Sequence, residues 1–263
     1  MTRLDKVFAA LRAADKKGLI IYITAGAPDT AATLAAVRAA EAAGADAIEL
    51  GIPFSDPMAD GPVIQQADAA AIRGGMTVKK FLQLVKEIRQ FSQIPLLGMG
   101  YINNILNYGQ EAFITDFKAA GLDGLILPDV PHEESAELRQ LGAKNDFHIV
   151  EFVTPGTTPE RVQEICRSAN GFIYCVSVNG VTGVRKIDYT PIGKVARLVR
   201  QHTAVPVAVG FGIGSPEAAI EASRHADAVI VGSAVVRHVL DNDIDGAAQL
   251  IASLRQALDE QVK

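Results

Sequence analysis

Glu49 stands inside an apolar, strand-like run, Ala47-Ile48-Glu49-Leu50-Gly51. An ionised carboxylate there is costly unless it is paired or stays protonated. The chain carries its own comparison, because a pattern leading from Ala-Gly-x-Asp into a strand recurs. Ala43-Gly44-Ala45-Asp46 leads to Glu49, Ala120-Gly121-Leu122-Asp123 leads to Ile126, and the shorter Ala226-Asp227 leads to Ile230. One strand position is therefore acidic once and aliphatic twice, which marks Glu49 as a candidate acid-base group. Asp60 follows in the loop Ile52-Pro53-Phe54-Ser55-Asp56-Pro57-Met58-Ala59-Asp60-Gly61-Pro62. Alone it reads as a turn residue. Beside Glu49 it completes a pair of carboxylates in unlike surroundings, a common way to hold one group protonated and the other ionised.

A second kind of chemistry is written in glycine. Gly180-Val181-Thr182-Gly183, Gly210-Phe211-Gly212-Ile213-Gly214-Ser215 and Gly232-Ser233 each follow one of the last three predicted strands. Glycine lets backbone amides approach an anion, and Gly232-Ser233-Ala234 also opens a helix whose free amides attract phosphate. A phosphorylated substrate is the expectation. No lysine lies within a strand run, so a Schiff-base nucleophile is missing. His132, His148, His202, His225 and His238 are scattered without metal-ligand spacing, so no metal site is expected. Acid-base chemistry remains. His132 reads as a solvated helix-entry residue, and Asp129 as a loop-stabilising one.

These groups need a frame, and the rest of the chain supplies a repeating one. Short β-rich runs near residues 19–24, 47–50, 95–101, 124–127, 148–153, 172–176, 205–209 and 228–231 alternate with helical segments, including 30–43, 78–91, 133–143, 159–169, 190–201 and 216–223. That alternation forces parallel strands joined by helical crossovers. Eight such units predict an α/β fold, a (β/α)8 TIM barrel with an additional N-terminal helix, residues 3–14, that plugs its bottom. An open doubly wound sheet is the alternative, but no Gly-x-Gly-x-x-Gly follows the first strand. In a barrel the chemistry belongs at the C-terminal strand ends, where Glu49 lies. Side-chain alternation puts Ala47 and Glu49 on the inner face and Ile48 and Leu50 toward the helices.

Bulk properties agree. The 263 residues are 49% hydrophobic and 21% charged, with no linker or composition break, so residues 1–263 are expected to form a single domain. A net charge of -5 disfavours nucleic acid as a partner. No apolar run approaches the roughly 20 residues of a membrane span, and the first residues lack an export signal, so a cytoplasmic location is expected. Cys166 and Cys175 read as reduced core thiols.

From Glu49 through Asp60 to Gln65, joined to Gly180-Val181-Thr182-Gly183 and Gly210-Phe211-Gly212-Ile213, the chain resembles the tryptophan synthase α-subunit family over its whole length. The resemblance implies cleavage of indole-3-glycerol phosphate to indole and glyceraldehyde 3-phosphate. It implies no cofactor in this chain and a pyridoxal-phosphate-dependent β subunit as partner, in an α2β2 heterotetramer. It makes Glu49 the main acid-base residue, Asp60 the carboxylate that balances charge on the ring nitrogen, and Tyr174 a neighbour of the reacting hydroxyl. Thr182 falls in a mobile loop, Gly183, Gly212, Gly232 and Ser233 match phosphate-binding positions, and Tyr22, Ile126 and Phe211 match the pocket lining. Two departures stand out: Val178-Asn179 replaces a more polar pair, and Tyr101-Ile102-Asn103-Asn104 lacks a proline frequent in the family. The competing readings are another phosphate-binding barrel enzyme acting on a sugar phosphate, and a non-catalytic regulatory subunit.

Overall fold

The computed structural model describes residues 1–176 and 188–260. Helix α1 (Arg3–Ala13) precedes strand β1 (Gly18–Thr24), and α2 (Thr30–Ala42) leads into β2 (Ala47–Gly51). Two helices, α3 (Pro62–Arg73) and α4 (Val78–Arg89), precede β3 (Leu96–Met99), and two more, α5 (Ile102–Tyr108) and α6 (Gln110–Ala120), precede β4 (Gly124–Ile126). A short 3-10 turn (His132–Glu134) and α7 (Ala136–Lys144) lead to β5 (His148–Val153), and α8 (Pro159–Ser168) leads to β6 (Ile173–Val176). Then come α9 (Thr190–His202), β7 (Val207–Gly210), α10 (Pro216–Ser223), β8 (Ala228–Val231), α11 (Ser233–Leu240) and α12 (Ile244–Glu260). The strands form a closed parallel barrel in sequence order, β8 pairing back onto β1.

The recurring aspartate explains how the register is set. Asp46 accepts the backbone N–H of Leu19, Asp123 that of Leu96, and Asp227 that of Val207, each at the start of the preceding or adjacent strand. Each also meets an arginine, Arg255, Arg89 and Arg200 respectively. The motif thus pins one strand to its neighbour at the bottom of the barrel. The residue three positions later falls on the inner face: Ile126 and Ile230 both pack in the barrel interior with Ile20, Ala47 and Leu97. Tyr22 pairs with Glu49 in the β1–β2 register.

The N-terminal helix fulfils its expected role. A reciprocal cap between Thr2 and Asp5 starts α1, and Leu4, Phe8 and Leu11 join the interior cluster, closing the barrel from below. The outer core lies between strands and helices and includes Phe81, Phe113, Phe117, Val209 and Leu254. No helix among the described residues is long and apolar enough to cross a membrane.

Candidate active site

The inner ends of β1, β2 and β6 place three side chains at the mouth of the barrel. Glu49 on β2 is 1% exposed, and neither of its carboxyl oxygens has a hydrogen-bond partner among the described residues. Burial, with the charge of Asp60 added, pushes its pKa up to about 8. Glu49 is therefore a protonated acid at neutral pH, able to give a proton and take one back. Tyr174 on β6 is buried, stacks on Phe152 at 5.2 Å, and has its ionisation disfavoured by burial and then by Glu49 and Asp60. Tyr22 on β1 is raised likewise, by burial first and then by Asp68 and Asp60. The hydroxyls of Tyr22 and Tyr174 lie over Gly51 and Gly210, where any Cβ would collide with them. The glycines ending β2 and β7 thus make room for the two phenols.

Asp60 sits just before α3, which starts with Gly61 at the cap and Pro62 in the first turn. Its carboxylate accepts a 2.7 Å hydrogen bond from the Tyr101 hydroxyl, which itself accepts the Ala59 N–H at 3.0 Å. Burial raises the Asp60 pKa and the Tyr101 bond opposes that rise. The two carboxyls therefore differ as the sequence suggested: Glu49 has no hydrogen-bond partner among the described residues, whereas Asp60 is held and is the group whose charge Glu49 feels.

Gly212 and Gly232, expected from the sequence to cradle an anion, are both among the described residues. Gly212 has φ 67°, a left-handed conformation that disfavours side chains, and Phe211 before it has φ 124°. Strain of this kind gathers at functional sites. Gly232 caps α11 without a side-chain cap, and Val235 and Val236 both turn back to its carbonyl. A Cβ on Gly232 would point over Tyr22 and Ile64 at 3.5 and 3.7 Å, and one on Gly214 would meet Ala234. The loop after β7 and the start of α11 are thus adjacent above Tyr22. Ile126 lies on the barrel interior, while Phe211 is 37% exposed at the rim. Thr182 and Gly183, with Gly180 and the Val178-Asn179 pair, lie outside the described residues.

One reading needs correcting, and two residues of the site go beyond the sequence-based expectation. His132 is not solvated: it is buried, with Nδ1 3.0 Å from Glu151, because α7 brings Arg139 alongside the same carboxylate. The Asp129 reading stands, since its carboxylate accepts the Ile102 N–H at the start of α5. Tyr101, noted only for the missing proline, is the residue that holds Asp60. Asp68 was not singled out, although it interrupts the buried stripe of Ala67 and Ala71 on α3 as Glu49 interrupts β2. In the loop after β2, Phe54 folds onto the rim and stacks on Tyr101 at 5.1 Å, but Met58 is 84% exposed, and Leu106 on α5 is 52% exposed.

The sequence model of the tryptophan synthase alpha chain family matches residues 8–263. The tryptophan synthase alpha chain of Caldanaerobacter subterraneus is 44% identical over 239 residues, 91% of each chain. That of Thioalkalivibrio sulfidiphilus is 42% identical over 266 residues, 98% of this chain and all of its own. Among solved structures, tryptophan synthase subunit alpha from Legionella pneumophila superposes with a TM-score of 0.91 at 35% identity over 99% of both chains. A structure of Mycobacterium tuberculosis tryptophan synthase gives 0.90 at 35% identity over 98% of both.

Proposed function

The chain belongs to the tryptophan synthase alpha chain family, and on that premise we propose that Glu49 and Asp60 carry its lyase reaction. That reaction is the cleavage of indole-3-glycerol phosphate to indole and glyceraldehyde 3-phosphate. The observation that supports these roles is the protonated carboxyl of Glu49, buried and without a hydrogen-bond partner among the described residues, with the charge of the Tyr101-held carboxylate of Asp60 acting on it. Protonated Glu49 gives its proton to the ring carbon that bears the glycerol phosphate chain. The ring becomes cationic at nitrogen, and the Asp60 carboxylate balances that charge. Glu49, now ionised, takes the proton of the adjacent hydroxyl; the carbon-carbon bond breaks, its electrons return to the ring, and the hydroxyl carbon becomes the aldehyde. The proton on Glu49 is restored, so no metal or imine enters the balance. Tyr174 lies beside this hydroxyl, and Tyr22, Ile126 and Phe211 line the ring pocket.

The phosphate belongs at Gly212, Gly232 and Ser233, together with Thr182 and Gly183. Gly232→Val is expected to weaken inorganic phosphate and glyceraldehyde 3-phosphate binding, since its Cβ would point over Tyr22 and Ile64 at ordinary contact distances and its methyl groups would crowd the backbone amides at the start of α11. Titration that finds unchanged affinity for both ligands would move the anion site elsewhere.

We also read residues 1–263 as one domain, place the chain in the cytoplasm, and assign it no cofactor of its own. A tryptophan synthase β subunit is the implied partner; pyridoxal phosphate in that subunit and an α2β2 assembly are our proposals. The exposed Met58 and Asp56, on the loop that follows Glu49, are the face offered to it. Asp56→Lys is expected to reduce the stimulation of indole release by the cognate β subunit more than it reduces the activity of the chain alone. Equal losses in both assays would leave this loop as ordinary rim packing. Indole release from indole-3-glycerol phosphate, measured on the isolated chain and then with its partner, tests the whole reading. An inactive isolated chain that merely stimulates its partner would favour the regulatory alternative.

A further inference from the structure

Asp129 lies just beyond β4, at the end of the barrel that carries the site, and the cleavage steps do not use it. Both of its carboxyl oxygens take one backbone N–H, that of Ile102, at 3.0 and 3.2 Å. Among the described residues it makes no other hydrogen bond or ion pair. Helix α5 has no side-chain cap of its own, because Tyr101, its cap residue, sends its side chain to the loop after β2. Asp129, 27 residues further along the chain, satisfies the first amide of the helix instead. The consequence falls on Tyr101. On one side of it the Gly100 N–H bonds the Ile126 carbonyl at 3.1 Å, and on the other the Ile102 N–H is held by Asp129. From that clamped backbone the Tyr101 hydroxyl donates to Asp60 at 2.7 Å and accepts the Ala59 N–H at 3.0 Å, while its ring stacks on Phe54 at 5.1 Å. A tyrosine side chain turns about only two χ angles, so a displaced backbone displaces the hydroxyl with it.

We propose that Asp129 is a positioning residue of the cleavage reaction: by holding the N–H that follows Tyr101 it sets the Tyr101 hydroxyl, and through that hydroxyl the carboxylate of Asp60. The inference rests on the role proposed above for Asp60. An ionised acceptor makes the stronger bond to an N–H and suits the positive start of a helix, which is what an acid contributes at this position. Asparagine keeps an oxygen that accepts the same N–H, whereas alanine removes the acceptor.

The test compares Asp129→Asn and Asp129→Ala on the full chain, each in the wild type and in a Tyr101→Phe background. Indole release from indole-3-glycerol phosphate gives kcat and KM, and thermal unfolding is followed in parallel. Asp129→Ala is expected to lower kcat about 10-fold, part of the roughly 100-fold that a 1 Å misplacement can cost, with KM little changed. Its Tm should fall by no more than about 4 °C, the scale of one lost cap in a chain of this size. Asp129→Asn is expected to retain most of the wild-type kcat. In the Tyr101→Phe background Asp129→Ala should cost nothing further in kcat, because the hydroxyl that carries its effect is already gone. The proposal is overturned by wild-type kcat in Asp129→Ala, by asparagine doing no better than alanine, by a loss carried in KM, by a Tm fall well beyond that of a lost cap, or by an equal further loss without the Tyr101 hydroxyl. Failure of the parent reading would look different: the wild-type chain itself would release no indole, or Asp60→Asn alone would leave kcat intact.

Discussion

Glu49→Gln is expected to abolish indole release while leaving the affinity for glyceraldehyde 3-phosphate nearly unchanged. The amide matches the carboxyl in shape and leaves the glycine cradle above β7 and β8 untouched, but it can neither supply a proton to the ring nor take one from the hydroxyl. Loss of such a group typically costs about 10²- to 10⁴-fold in rate. The wild type carries a second mark of the same role. Because burial and Asp60 hold Glu49 up to about 8, the protonated form that starts the reaction dominates below that pH and is lost above it. Turnover limited by chemistry should therefore decline as pH rises through about 8. Near-wild-type turnover by the glutamine variant, or an enzyme still at full rate well above pH 8, would remove Glu49 from the chemistry.

The barrel was legible because its signals are periodic. Strand runs and helical stripes alternate, and the Ala-Gly-x-Asp pattern marks equivalent points in separate units, so Glu49 could be recognised against Ile126 and Ile230 without any other sequence. The same aspartates then prove to bond neighbouring strands, which is why the comparison was in register. Signals that depend on contact across the chain were not legible. Tyr101 falls in a run expected to be strand, but β3 ends at Met99, and its hydroxyl turns to residues some 40 positions earlier, Ala59 and Asp60. His132 looked like a solvated helix-entry residue because nothing local shows that Arg139 and Glu151 will converge on it. Asp68 did carry a local signal, an acid in an apolar helical stripe. The Pro- and Gly-rich stretch before it drew attention to a loop, where Gly61 and Pro62 in fact open α3.

Asp60→Asn is expected to lower kcat about 10²- to 10³-fold, the scale seen when one preorganised group facing a developing charge is lost. The reason lies in what the asparagine would keep. Its amide oxygen can still accept the Tyr101 hydroxyl, so the loop and its stack on Phe54 have no cause to move, and ground-state binding should survive. What disappears is the negative charge. In the substrate the ring nitrogen is neutral and gains little from that charge; once Glu49 has protonated the ring, the nitrogen is cationic and a carboxylate at this distance from solvent stabilises it strongly. The loss should thus appear in kcat and only weakly in KM. Two further effects follow from the same charge. Removing it takes away the Coulombic part of the rise at Glu49, so whatever activity remains should decline with rising pH from a lower point than in the wild type. Tyr101→Phe, which keeps the ring stack but removes the hydrogen bond, should lose less than Asp60→Asn, because the carboxylate itself remains. Equal losses in KM and kcat for Asp60→Asn, with the high-pH decline unmoved, would make Asp60 a binding group and leave the ring cation to be stabilised by something else.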